Sequence, residues 1–274
     1  MNSYKLTDTI LYLDNVSLGY DNKIILKDIN LIEKDIIRED KEATGQIIAV
    51  IGRSGRGKST LFKALTGLLK PLSGKILMTD MKTDNTEDAI EVSEGMVGFV
   101  DQKYTLFRHK TVFQSCMYAL RKTLLSYSEK EAGINIQLKE WGLFEHKDKY
   151  PVELSGGQRQ RNAICEQLLS SKHFMIFDEP FSGLDCGNIE KVKHSFNLIQ
   201  NQHELNTIIF STHDINLAVE LADSIYVIGK PSEEADYSTI VKHYDLKEMN
   251  LAWKEFGNDH INLVKEIKEV LLKS

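Results

Sequence analysis

The apolar positions of this chain fall into short runs divided by polar punctuation, and most runs are too brief to be helices. Leu11, Leu13, Val16 and Leu18 roughly alternate, Tyr20-Asp21-Asn22 interrupts them, and Ile24-Ile25-Leu26 resumes the pattern. This predicts two short strands with a turn within residues 10–31. Ile47 to Ile51, Met96 to Val100, Phe174 to Phe177 and Thr207 to Phe210 read as strands buried on both faces, and Lys75 to Met78 and Ser224 to Ile228 as two more. Helical periodicity appears where Leu61, Ala64, Leu65 and Leu68 repeat on one face before Pro71, and again over Ile215 to Leu221. Residues 104–150 carry no strand signal. Val112, Cys116, Tyr118 and Leu120 open an amphipathic stretch there, and Ser128 with Glu131 has capping-box spacing for a second helix. In the tail, residues 246–273, Leu263, Val264, Ile267, Val270 and Leu271 share one helical face. The polar segments predict a solvated hairpin extension over residues 33–43, an exposed loop over 79–94 and a linker over 231–236.

Composition narrows the classes without selecting one. A chain of 274 residues has no difficulty burying a core, and its net charge of −6 and pI near 5.8 argue against an electrostatic grip on nucleic acid or an anionic membrane. Cys116, Cys165 and Cys186 are odd in number and lack metal-type spacing, as expected of reduced thiols. Met1 to Asp8 holds no secretory apolar core, and no window reaches the ~18 apolar residues of a bilayer span, so any membrane role is expected to be peripheral.

The candidate chemistry centres on Gly52-Arg53-Ser54-Gly55-Arg56-Gly57-Lys58-Ser59-Thr60, a P-loop pattern between a strand and a helix. Its glycines let successive backbone N–H groups turn inward and the helix adds its positive end, which predicts a cradle for a nucleotide polyphosphate. Lys58 would lie along the terminal phosphates and the Ser59 hydroxyl would supply one ligand to Mg²⁺. Asp178 and Glu179 follow a buried strand, where a carboxylate is costly unless something positive meets it. Asp178 is predicted to hold the ion and Glu179 to act on the attacking water as general base. His213, at another strand tip, could hydrogen-bond the γ-phosphate and orient the water. Gln102 ends a further strand, either reaching the metal or the water or remaining a surface polar residue. Tyr20 either stacks on an adenine or is a partly buried hairpin tyrosine. Ser155-Gly156-Gly157 opens a helix and predicts a second anion cradle, far along the chain from the first.

In this order and spacing the motifs resemble those of the ATP-binding cassette ATPases, from Leu11 to about Lys230, with the family signature intact at Leu154-Ser155-Gly156-Gly157-Gln158. The resemblance implies an α/β fold: a P-loop NTPase core with a mostly parallel sheet, an N-terminal antiparallel β-subdomain and a helical subdomain inserted at about residues 104–160. Residues 1–230 would form the nucleotide-binding domain, and 231–274 a C-terminal strand and helix extension packed on it. The resemblance places Tyr20 at the adenine, adds Gln102 to Ser59 and Asp178 as a metal ligand, and makes Glu179, His213 and Gln102 the catalytic set. It also implies that two cassettes, a homodimer in the simplest case, face each other head to tail. Ser155, Gly156, Gly157, Gln158 and Asp185 would then meet the ATP held by the partner. ATP and Mg²⁺ are the implied cofactors and separate transmembrane permease subunits the implied partners, with a cytoplasmic, peripheral location on the inner face of the cell membrane. Glu179-Pro180-Phe181-Ser182-Gly183-Leu184-Asp185 and Ser211-Thr212-His213-Asp214 look like the cassettes of nitrate-, sulfonate- and taurine-type importers. The alternative is a soluble cassette acting in translation or on DNA. Arg53, Arg56, Asp101, Arg108 and Cys165-Glu166-Gln167 depart from the family's usual residues, and none of them is a catalytic group.

Overall fold

A computed structural model describes residues 4–21, 23–38, 45–80, 85–101, 104–170, 173–203 and 205–274. Two sheets organise them. Strands β1 (Tyr4–Tyr20), β2 (Lys23–Arg38), β4 (Ser73–Asp80) and β5 (Asn85–Glu91) form an antiparallel sheet in the order β2-β1-β4-β5. The second sheet joins β3 (Gln46–Gly52), β6 (Gly98–Val100), β7 (Phe174–Phe177), β8 (Thr207–Thr212), β9 (Ser224–Gly229) and β10 (Thr239–Asp245) in the order β10-β9-β3-β8-β7-β6. Its pairings are parallel except for the antiparallel β10 at one edge.

The continuous apolar runs of the parallel strands are explained by two cores, one on each side of the sheet. Ile47, Ala49 and Ile51 of β3 enter one core and Ile48 and Val50 the other. Strands β7, β8 and β9 divide their residues in the same way. On one side the sheet meets the antiparallel sheet and α1 (Lys58–Leu65). The other side takes residues of α2 (Val112–Ala119), α3 (Tyr127–Glu140), α4 (Gly156–Ser170), α5 (Cys186–Gln202), α6 (Ile215–Leu221) and α7 (Asn258–Lys273). The fold is α/β, with helices α2 and α3 inserted between β6 and β7.

Several expectations need correction. The first two strands are far longer than a short hairpin, because β1 pairs with β2 along its length through a series of register shifts and with β4 on its other side. Residues 33–38 are strand and partly core, not a solvated extension: Glu33 is 4% exposed and accepts a hydrogen bond from Tyr226 Oη at 2.8 Å. Asp35 and Arg38 are buried as well. The remainder of that segment, residues 39–43, lies outside the described residues. The predicted loop over 79–94 contains β5, whose backbone completes the antiparallel sheet despite its polar sequence. Leu68 is exposed beyond the end of α1, which closes at Gly67 in a left-handed turn. The second helical cap sits two residues earlier than predicted, at Ser126 with Glu129.

Candidate active site

Four parallel strands end at one edge of the sheet: β3 at Gly52, β7 before Asp178, β8 before His213 and β6 before Asp101. Ligands collect at this edge in open α/β sheets because loops rather than side chains fill the space beyond the strands. The loop after β3 curls back through Gly55 and Gly57, both at positive φ (78° and 98°). A Cβ at Gly57 would stand 2.9 Å from Leu26 Cδ2, and one at Gly52 would stand 2.6 Å from the Ile228 carbonyl oxygen. Only glycine fits at these two positions. Gly57 is also the N-cap of α1 and has no side chain to offer the first turn, so that turn's N–H groups face outward as anion donors. Arg53 and Ser54 are exposed, Arg56 is half-buried and Thr60 is buried.

The charged groups interlock across the strand tips. Lys58 Nζ donates to the Gly52 carbonyl at 2.8 Å and lies 3.5 Å from Glu179 Oε1. Ser59 Oγ donates to Asp178 Oδ2 at 2.7 Å, and Ser211 Oγ donates to Asp178 Oδ1 at 2.7 Å. The Glu179 N–H in turn donates to Ser211 Oγ at 2.8 Å. His213 Nδ1 meets Glu179 Oε2 at 3.0 Å, so the two carboxylate oxygens face a lysine and a histidine. Glu179 itself holds φ at +52°, a costly conformation for a residue with a β-carbon. Asp214 caps α6 through the Asn216 and Leu217 N–H groups, which fixes the turn that carries His213. A carboxylate so held can take a proton from a water, while a lysine and a helix end neutralise phosphate charge. Among the described residues no cluster of three or more histidine, cysteine or acidic side chains could hold a metal by itself. The Ser59 hydroxyl and Asp178 carboxylate are hard oxygen donors, a set that suits a Mg²⁺ completing its shell with phosphate and water.

The structure brings together Gly52 to Thr60, Asp178, Glu179 and His213. Tyr20 ends β1 and is 39% exposed, with Lys63 Nζ of α1 5.6 Å from its ring centroid. Ser155 and Gln158 form a reciprocal cap at the start of α4, at 2.9 and 3.3 Å. Gly156 and Gly157 have no neighbour closer than 3.8 Å to an added Cβ, so that cradle is open. Asp185 caps α5 through Asn188. Among the described residues no hydrogen bond or ion pair joins the α4 cradle to the P-loop. Gln102 lies outside the described residues. Two members escaped the sequence reading. Ser211 is a fully buried serine at a strand tip, and its only signal was a hydroxyl following an apolar run. Tyr104 Oη donates to the Pro180 carbonyl at 3.3 Å, and burial pushes its hydroxyl up to about 12. The thiols of Cys116 and Cys165 are free, and burial drives both pKa values up; Cys186 is free and exposed.

The profile of the family described as "ABC transporter" matches residues 41–182, just over half of the chain. The chain belongs to that family. This cassette is 37% identical over 196 residues to a sulfate/thiosulfate import ATP-binding protein of Acinetobacter baylyi, which covers 69% of the cassette but 54% of the relative. It therefore spans about half the length of that relative. Among solved structures, cbiO1 of Clostridium perfringens, part of the ABC transporter complex cbiONQ, superposes with a TM-score of 0.71 at 29% identity, covering 90% of this cassette and 92% of the other. A dimeric ATP-binding cassette bound to ADP and Pi superposes with a TM-score of 0.66 at 25% identity, covering 86% and 99%. Among the described residues no helix of the cassette is long and apolar enough to cross a membrane.

Proposed function

We propose that this cassette binds and hydrolyses ATP to power a membrane transporter, in the import direction, through separate transmembrane subunits. The observation that carries the reading is Glu179, with one carboxylate oxygen 3.5 Å from Lys58 and the other 3.0 Å from His213, beside an Asp178 held by Ser59. A polyphosphate entering the cradle of residues 52–60 would draw Lys58 to its terminal oxygens and release Glu179 toward the attacking water. Glu179 takes the proton as the water oxygen bonds to the γ-phosphorus; the bond to the bridging oxygen breaks, and ADP and phosphate leave. His213 holds Glu179 and reaches the γ-phosphate. Ser59, Asp178 and Gln102 would hold Mg²⁺, which when bound offsets phosphate charge. Tyr20 stacks on the adenine.

The open cradle at Ser155, Gly156, Gly157 and Gln158, with Asp185, is assigned to the ATP of a second cassette. Two-fold pairing of identical chains would then complete two sites. The solved dimeric relative with ADP and Pi supports that pairing, and the import relative supports the direction. Residues 1–230 form the nucleotide-binding unit, with a helical part at about 104–160, and 231–274 an extension of it. The location that follows is peripheral, on the cytoplasmic face of the cell membrane. Affinity purification from detergent-solubilised membranes tests this: integral membrane subunits should be recovered, with phosphate release that requires ATP and Mg²⁺. Recovery with ribosomes or DNA and no membrane subunit would contradict it.

A further inference from the structure

Ser211 stands one residue before the end of β8, fully buried, and its hydroxyl makes two short bonds: it donates to Asp178 Oδ1 at 2.7 Å and accepts the Glu179 N–H at 2.8 Å. The sheet register places it there. Phe177 of β7 pairs in parallel with Phe210 of β8, so Asp178 and Ser211 are the next positions on neighbouring strands. At this point β7 ends. The Asp178 N–H still donates to the Val100 carbonyl, but Glu179 turns to a φ of +52° and its N–H leaves the ladder for the Ser211 hydroxyl. The direction of this chain of bonds is fixed, because an amide N–H can only donate and a hydroxyl carries one proton; that proton therefore points at Asp178. The other Asp178 oxygen, Oδ2, receives Ser59 Oγ at 2.7 Å. With Ser59 and Asp178 assigned to the ion, Ser211 is the donor left to orient the carboxylate.

We infer that Ser211 is a positioning residue for hydrolysis, setting the metal-binding carboxylate and the general base with a single hydroxyl. The inference rests on the roles proposed for Asp178 and Glu179 and adds the residue that couples them. Through Oδ1 it fixes the rotation of the Asp178 side chain and leaves Oδ2 toward Ser59. Through the N–H it holds the Glu179 main chain in a left-handed conformation that persists only where the surroundings impose it. Glu179 is thereby held at both ends: Lys58 and His213 meet its carboxylate, and Ser211 meets its backbone. A serine that merely closed the strand would stabilise the fold and leave metal affinity alone. Partners that hydrogen-bond a ligating carboxylate change the affinity for the ion itself.

The test uses the full chain with Ser211→Ala, which deletes the hydroxyl, and Ser211→Cys, which keeps a similar volume and offers only a weak donor. Mn²⁺ binding is read by electron paramagnetic resonance in the presence of a methylene-bridged, non-hydrolysable ATP analogue. Both variants should bind Mn²⁺ about 10–100-fold more weakly. Turnover at saturating Mg²⁺ should fall by about tenfold or more while the KM for ATP stays within about twofold, the pattern of a group that acts in the transition state. Binding of labelled ATP in EDTA should not change. Unaltered Mn²⁺ affinity in the variants would overturn the proposal, as would a loss of metal-free ATP binding equal to the loss of Mn²⁺. Asp178→Asn separates the two levels of the argument. If it keeps the unsubstituted Mn²⁺ affinity, the metal role of Asp178 fails; if it loses that affinity while Ser211→Cys does not, only the role of Ser211 is wrong.

Discussion

Asp178 and Glu179 were readable as residues because carboxylates at the end of four buried apolar positions demand a positive partner. The means of holding them was not readable. Ser211 supplies it, donating to Asp178 and accepting from the Glu179 N–H, and it comes from a strand whose order relative to β7 no spacing reveals. Ser211→Ala leaves both groups short of a partner, at a cost of about 1–3 kcal/mol in stability, measurable by denaturant unfolding. An unchanged midpoint would show that water replaces the hydroxyl at no loss. Lys58→Ala should weaken nucleotide binding itself in a titration with labelled ATP, because the Lys58 ammonium is held at the Gly52 carbonyl of the cradle, 2.8 Å away. Undiminished binding would remove it from the phosphate site.

Elements with a continuous apolar run were legible, and those whose fate is set by pairing were not. β5 is polar in sequence and exists because β4 presents an edge to it, while β2 buries Glu33 because β9 brings Tyr226. Helix boundaries erred by small steps where two serines stood close together. Ser126, not Ser128, accepts the Glu129 N–H at 3.3 Å while Glu129 returns a bond to the Ser126 N–H at 2.7 Å. Ser126→Ala should therefore cost about 1 kcal/mol, and Ser128→Ala less than about 0.5 kcal/mol. Equal losses in thermal unfolding would contradict that cap. In the amphipathic tail, Leu263, Val264 and Ile267 of α7 are buried against the main core. Ile267→Ala should lose about 2–5 kcal/mol.

Across the whole molecule the two sheets meet at buried ionisable groups. Burial pushes the Glu33 carboxyl up to about 7, outweighing the attraction of Lys247 and the Tyr226 hydrogen bond, and burial raises Asp223 to about 6. Each binds its proton more tightly folded than unfolded. Their stabilising contribution is thus complete below the ordinary carboxylate range and is lost as pH rises toward 7. Glu33→Gln keeps an acceptor for Tyr226 and cannot ionise, so it should raise the unfolding temperature at pH 8 more than at pH 5. Parallel shifts would place the titration elsewhere.

At the same scale, the P-loop and the α4 cradle are separate proposed anion sites on one chain, and a second chain would unite them. Sedimentation of Glu179→Gln with and without ATP tests this most directly, beside its phosphate release. A dimer that appears only with ATP is expected, with turnover reduced by about 10²–10⁴. A protein that stays monomeric with ATP at every concentration while hydrolysing it at the unsubstituted rate would contradict both the pairing and the role of Glu179.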